Sequence, residues 1–165
     1  MIHQVSGDIL FTGAEAIAHG IAANDPMSQG LAEALHKNYP AMHKDFHHWC
    51  HIEKREPGSA WIWSGAGGTR IINLITQEGG YGHGAASNPG KATVSHVNHA
   101  LRALKKVISK EKLASVALPR LATGVGGLSW EDVEPLIANQ LTDTGATIYV
   151  YSEYVPDKKA KEPGL

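Results

Sequence analysis

Three stretches concentrate the residue types that hold anions through backbone rather than through fixed cations. Residues 24–30 read NDPMSQG, residues 76–88 read TQEGGYGHGAASN, and residues 121–128 read LATGVGGL. Each comes after an apolar run. Glycine lets the backbone approach a ligand closely, and successive inward N–H groups form a nest for phosphate. The second and third stretches also lead into helical patterns, whose N-termini favour negative charge. A phosphate-bearing ligand is the chemistry these loops predict. Asp8, after Gly7 at the end of a strand-like run, could accept a hydrogen bond from an adenine amino group. His83, in GYGHG, is placed to act as a general acid or base near neutral pH.

Competing chemistries fit less well. Residues 84–93 (GAASNPGKAT) approach a P-loop, but five residues separate Gly84 from Gly90-Lys91 where four are needed. Ala92 stands after the lysine in place of Ser or Thr, and Pro89 removes an N–H from the cradle. His43 and His47 stand i, i+4 on one helical face, with His48, Cys50 and His51 nearby. No glutamate completes an H-E-x-x-H arrangement, and no metal is expected. Cys50 sits in a helical stretch beside Trp49 and reads as a packing residue. No G-x-S-x-G elbow occurs.

These loops need elements to position them. At 165 residues and 17.7 kDa the chain is the size of one domain. It is 42% hydrophobic and 19% charged, which excludes wholesale disorder. Its 15 basic and 16 acidic residues argue against a general nucleic-acid binder. The ten histidines would take the formal charge from −1 to +9 if all were protonated. One cysteine, no secretory leader pattern and no run of membrane-helix length point to a cytoplasmic protein without disulfides.

Strands are expected at residues 2–6, 16–23, 61–63, 70–75, 115–118 and 147–151. The third and fourth flank the glycine turn at residues 65–68 as a hairpin. Helices are expected at residues 30–38, from Pro40 through Trp49, after an Asn88 cap with Pro89 at the first position, and after Ser129 with Asp132 three residues on. Val94, Val97, Leu101, Leu104 and Ile108 form the stripe of the third. Strands alternating with helices make an α/β fold with helices on both faces of a mixed sheet. In such sheets ligands bind beyond the carboxyl ends of the strands. Residues 1–155 form the expected single domain, and 156–165, charged and bearing Pro and Gly, read as a flexible tail.

The ordered set of motifs resembles the macrodomain family, the ADP-ribose-binding module of three α/β/α layers. It comprises Gly7-Asp8-Ile9, Ala18-His19-Gly20-Ile21-Ala22, Met27-Ser28-Gln29-Gly30-Leu31-Ala32, Ile72-Asn73-Leu74-Ile75-Thr76, and the run from Leu118 to Trp130 (LPRLATGVGGLSW). The resemblance spans about residues 2 to 152. It is closest to the branch holding the terminal ADP-ribose protein glycohydrolase and a chromatin-remodeller macrodomain.

The resemblance implies that Asp8 and Ile9 meet the adenine. It places the diphosphate between Ser28, Gln29, Gly30 and Leu31 and the loop Thr123, Gly124, Val125, Gly126 and Gly127. His19, Ala22, Thr76 and Tyr151 are the further expected ligand contacts, Tyr151 lying against adenine or its ribose. The branch's lysine and loop acid are replaced by Gln77 and Gly126. Gln cannot form a covalent lysine adduct, and Gly cannot act as an acid. The asparagines of the larger hydrolase branch are also absent, with Asn24 two residues beyond.

Two functions are consistent with this pattern. One is hydrolysis of an ADP-ribose derivative, an ADP-ribosyl ester on protein, O-acetyl-ADP-ribose or ADP-ribose 1''-phosphate. Its candidate groups are His83, Gln77 and Asn24, with His19 and Asp25 behind them. The other is a non-catalytic reader of ADP-ribose. No cofactor is expected. The expected partners are ADP-ribose or ADP-ribosylated protein, with ADP-ribosylated nucleic acid left open, and the expected state is a monomer without membrane contact.

Overall fold

The structure, a computed structural model, describes residues 1–52, 55–79 and 90–165. Six strands form one sheet: β1 (Ile2–Gly7), β2 (Ala16–Ala22), β3 (Ala60–Ser64), β4 (Arg70–Gln77), β5 (Ser115–Pro119) and β6 (Thr147–Tyr154). Their spatial order is β1-β6-β5-β2-β4-β3. All neighbours are parallel except β3, which returns antiparallel along β4 as the hairpin reading requires. Five strands therefore end on one edge.

Four helices cover the two faces: α1 (Gly30–Asn38), α2 (Pro40–Ile52), α3 (Val94–Glu111) and α4 (Trp130–Leu141). Alternation along the strands sorts the core into two layers. Ala16, Ala18, Ile72, Leu74, Val116 and Leu118 face α3 and α4. Ile17, Ile21, Ile71 and Ile75 face α1 and α2, where Leu35, Met42 and Phe46 are fully buried. The expected stripe of α3 is buried from Val97 to Ile108, with Val94 left exposed at its start. Burial pushes the Cys50 thiol up to about 12, so it stays a packing thiol at neutral pH.

Two expectations change. The cap of α3 is Thr93, whose hydroxyl accepts the His96 N–H at 3.0 Å. Asn88 and Pro89 lie outside the described residues. The last ten residues, expected to be flexible, are docked. Ala160 and Glu162 are buried. The Glu162 carboxylate accepts from the Thr12 hydroxyl (2.5 Å), the Gly13 N–H (2.8 Å) and the Tyr151 hydroxyl (2.9 Å). Tyr149 donates its hydroxyl to the Pro163 carbonyl. Composition sees a polar tail, whereas these bonds join residues that are mostly remote in sequence.

Candidate functional site

The carboxyl edge of the sheet gathers residues 24–30 and 121–128 with residues 76–79, the described start of the second glycine stretch. Bulges shift the register at Val5/Ser6 of β1 and at Ile21/Ala22 of β2, both at that edge. A bulge bends its strand and re-aims the residues after it, here Asp8 and the 23–29 loop.

Asp8 is 5% exposed and caps the short turn Ile9–Phe11, accepting the Leu10 N–H at 3.0 Å. Its second oxygen accepts the Asp157 N–H at 3.1 Å, and its own N–H donates to the Lys158 carbonyl at 2.7 Å. A carboxylate offers about four lone-pair sites, so these two bonds leave acceptor capacity. Ile9 beside it is buried.

Residues 23–29 turn on a local device. Asp25 accepts the Met27 N–H at 2.7 Å, holding buried Met27 at φ 52°. Gly30 comes next in the left-handed region, at φ 59°, and opens α1, with Ser28 and Gln29 exposed. Three histidines brace the loop from below. His47 bonds the Asp25 carbonyl (2.9 Å) and His36 the Met27 carbonyl (3.3 Å), with the His43 ring packed between their rings. Their ring centroids lie 3.8 and 4.1 Å apart. Spacing on α2 offers His43 and His47 as a metal-ligand pair; the structure turns His47 onto the Asp25 carbonyl and packs His43 against His36 and His47. Burial raises the Asp25 carboxyl above the usual carboxylate range.

The end of β4 lies against this loop. A β-carbon added to Gly79 would stand 2.2 Å from Asn24 Oδ1 and 3.3 Å from the Ala22 side chain. Thr76 is fully buried beside Gly20, where a β-carbon would come within 2.7 Å of the hydroxyl. Gln77 is 4% exposed, and its amide donates to the Gly90 carbonyl at 2.9 Å. That bond clamps residues 90–92 to the strand end, so Gln77 is a structural tie in this conformation.

The third loop closes the edge. Gly127 N–H donates to the Gly124 carbonyl and Leu128 N–H to the Ala122 carbonyl, each at 3.0 Å. Gly127 has φ 77° and Ala122 φ 61°. Ala92 N–H donates to the Gly126 carbonyl at 3.0 Å, tying this loop to the segment after β4. Gly126 is buried, while Gly124 and Val125 are exposed at the rim and Thr123 is half-buried. Ser129 caps α4 through the Glu131 N–H (3.2 Å), as its position predicts.

Two residues expected at the ligand are buried and hydrogen-bonded within the domain. Tyr151 is 6% exposed beneath the C-terminal segment, its hydroxyl spent on Glu162, and burial raises that phenol. His19 lies inside the sheet on the α2 side. Its Nε2–H donates to Asn73 Oδ1 at 2.6 Å, and Asn73 in turn donates toward the Met42 sulfur at 3.6 Å. Strand alternation turns His19 to the core face. His83 lies outside the described residues. A separate cavity of about 220 Å³ opens at the opposite edge, between Thr12, Tyr39, Gly67 and Arg70.

Burial lowers the His19 pKa from 6.5 to about 4, against the opposing bond to Asn73. The folded chain refuses a proton that the unfolded chain accepts. Stability from this group is full above pH 6.5 and falls as pH drops from 6.5 toward 4. At about 1.4 kcal/mol per unit, the loss approaches roughly 3 kcal/mol. His19→Gln should flatten the decline of the urea midpoint across that window. An unchanged pH profile would contradict the buried neutral ring.

Comparison with known proteins agrees with this geometry. The Macro domain family model matches residues 21–137. A curated Mycobacterium tuberculosis protein, DNA ADP-ribosyl glycohydrolase, is 32% identical over 155 residues, covering 90% of this chain and 42% of its own length. The chain thus spans less than half of that relative. The macrodomain of M. tuberculosis DarG is 29% identical, with TM-score 0.74 over 90% of this chain and 97% of that one. Thermosipho africanus DarTG, solved in complex with ADP-ribose, is 21% identical with TM-score 0.78, over 98% of this chain and 43% of that one. At that identity the likeness concerns the fold alone.

Proposed function

Since the chain belongs to the macro domain family, we propose that it binds ADP-ribose along the carboxyl edge of its sheet and hydrolyses an ADP-ribosyl bond there. The observation that carries this reading is the convergence on one edge of residues 24–30, residues 121–128 and the described flanks 76–79 and 90–92, tied by the Asn24–Gly79 approach and the Ala92–Gly126 hydrogen bond. Asp8 and Ile9 take the adenine end. The N–H groups of residues 28–31 and 123–127 take the diphosphate, supported by the N-termini of α1 and α4. The distal ribose then falls toward Asn24, Asp25 and the segment after β4.

The lytic step needs a group that accepts a proton from water as the bond to the anomeric carbon breaks. Asp25 has the suitable direction, since a raised carboxyl moves toward the working range of a general acid or base. Asn24, on the same loop, orients the distal end of the ligand. An ADP-ribosylated oligonucleotide is the first substrate to test, given the activity named for the M. tuberculosis relative.

Release of free ADP-ribose should be followed from that oligonucleotide, from ADP-ribosylated protein, and from O-acetyl-ADP-ribose and ADP-ribose 1''-phosphate. Turnover of at least one is expected, reduced about a hundredfold or more in Asp25→Asn, the usual scale for losing a general acid or base. Binding without release from any of them would transfer the assignment to a non-catalytic reader. Gln77 and Gly126, in place of the branch's lysine and acid, are the specific features that favour that second reading.

A further inference from the structure

We infer that Lys91 is the cationic contact for the ligand's diphosphate, reaching the third glycine loop from the segment after β4. The inference rests on the ADP-ribose reading above and adds a residue to it.

Residues 90–92 run as a short antiparallel partner to the end of β4. Gly90 N–H donates to the Glu78 carbonyl at 2.7 Å, Glu78 N–H donates to the Lys91 carbonyl at 3.2 Å, and Gln77 pairs with Ala92. The bond from Ala92 N–H to the Gly126 carbonyl fixes the other side. Lys91 is thus held at its backbone on both flanks. Its exposed side chain lies over Gly127. A β-carbon built there would stand 3.1 Å from Lys91 Nζ, 3.4 Å from Cδ and 3.7 Å from Cε.

The described surroundings of Lys91 hold no ion pair to it. Glu78, its neighbour across the pairing, is engaged by His96 at 2.6 Å. Residues 121–128 contain no acid. Arg120, at the head of the loop, stacks over Trp130 at 5.6 Å. An ammonium with no ion pair among the described residues therefore stands beside a glycine turn that leads at once into the N-terminus of α4. All three favour the same occupant, a small polyanion. Gly127 keeps the way open, since any side chain there would meet the lysine stem.

The test is calorimetric titration of wild type, Lys91→Gln and Lys91→Arg with ADP-ribose at two ionic strengths, with adenosine as the phosphate-free probe. Lys91→Gln should weaken ADP-ribose binding about tenfold, the scale of one lost charge-assisted contact. It should also reduce the salt dependence and leave adenosine binding and thermal stability unchanged. Lys91→Arg should retain most of the affinity. Equal affinity and equal salt dependence for wild type and Lys91→Gln would overturn this inference alone. Failure of wild type to bind ADP-ribose would overturn it together with the reading it rests on.

Discussion

Deleting residues 156–165 is expected to destabilise the domain by about 3–5 kcal/mol, the sum of several lost hydrogen bonds, and to loosen the adenine end of the site. The stability part comes from counting what the segment supplies. Glu162 accepts three hydrogen bonds, from Thr12, Gly13 and Tyr151, and Pro163 accepts one from Tyr149. Asp157 and Lys158 add the bonds to Asp8. At about 0.5–0.8 kcal/mol net each, the lower part of the usual range, the six bonds give about 3–5 kcal/mol. Ala160 adds apolar burial against Gly7, where a β-carbon would lie 2.9 Å away. The functional part comes from Asp8, which would lose one of the two bonds that orient its carboxylate. Glu162→Leu is the finer probe, expected to cost about 2–4 kcal/mol by leaving the Thr12 hydroxyl and Gly13 N–H without their acceptor. Urea unfolding measures both. A truncated chain within about 0.5 kcal/mol of the intact one, the range of an indifferent surface change, would show that the segment is not an integral part of the domain.

Gly126→Asp is expected to fail as a restoration of the branch's acid. A β-carbon at Gly126 meets the Ala122 carbonyl oxygen at 2.7 Å, and Ala122 Cα and the Ala92 β-carbon at 3.0 Å each. Two of these are backbone atoms, so no side-chain rotation relieves them. The loop must shift, and with it the Ala92–Gly126 hydrogen bond that joins it to the β4 end. A cost of about 2–4 kcal/mol is expected, in the upper range of overpacking, with a fall of at least about tenfold in ADP-ribose affinity, equivalent to about 1.4 kcal/mol. Gly124→Asp is the matched control, because nothing stands within 4 Å of its β-carbon. It should leave stability nearly unchanged. A Gly126→Asp protein that melts like wild type and gains hydrolysis would contradict the packing argument. The same steric fact gives a physical reason for the missing acid: this loop is built around a glycine.

The elements are legible in the sequence because their signals are local. Helical spacing gives α1 its bounds, Gly30 to Asn38, and places the Pro40 start of α2. Ser129 declares the cap of α4, and the glycine turn declares the β3–β4 hairpin. That the loops after β2, β4 and β5 start on one edge is legible as well, because parallel strands must end there. Contact between residues distant in sequence is what escapes. His19 meets Asn73 across 54 residues, and Glu162 meets Thr12 across 150. No local pattern marks either pair. Gln77 reads as a substituted catalytic position, while its amide serves Gly90, a partner 13 residues on that composition cannot select. Lys91 reads only as part of a failed P-loop, since its approach to Gly127 depends on a pairing formed in three dimensions. The cover over Tyr151 escapes too, because a tail of charged residues gives no sign that Glu162 will meet its hydroxyl.

Recognition of ADP-ribose by the carboxyl edge of this sheet can be settled by one calorimetric titration. The intact chain is titrated with ADP-ribose, and with AMP and ATP as controls. One-to-one binding of ADP-ribose is expected, clearly tighter than either control, since neither control joins a diphosphate to a second ribose. Absence of ADP-ribose binding, or equal binding of all three nucleotides, would contradict the assignment of this edge.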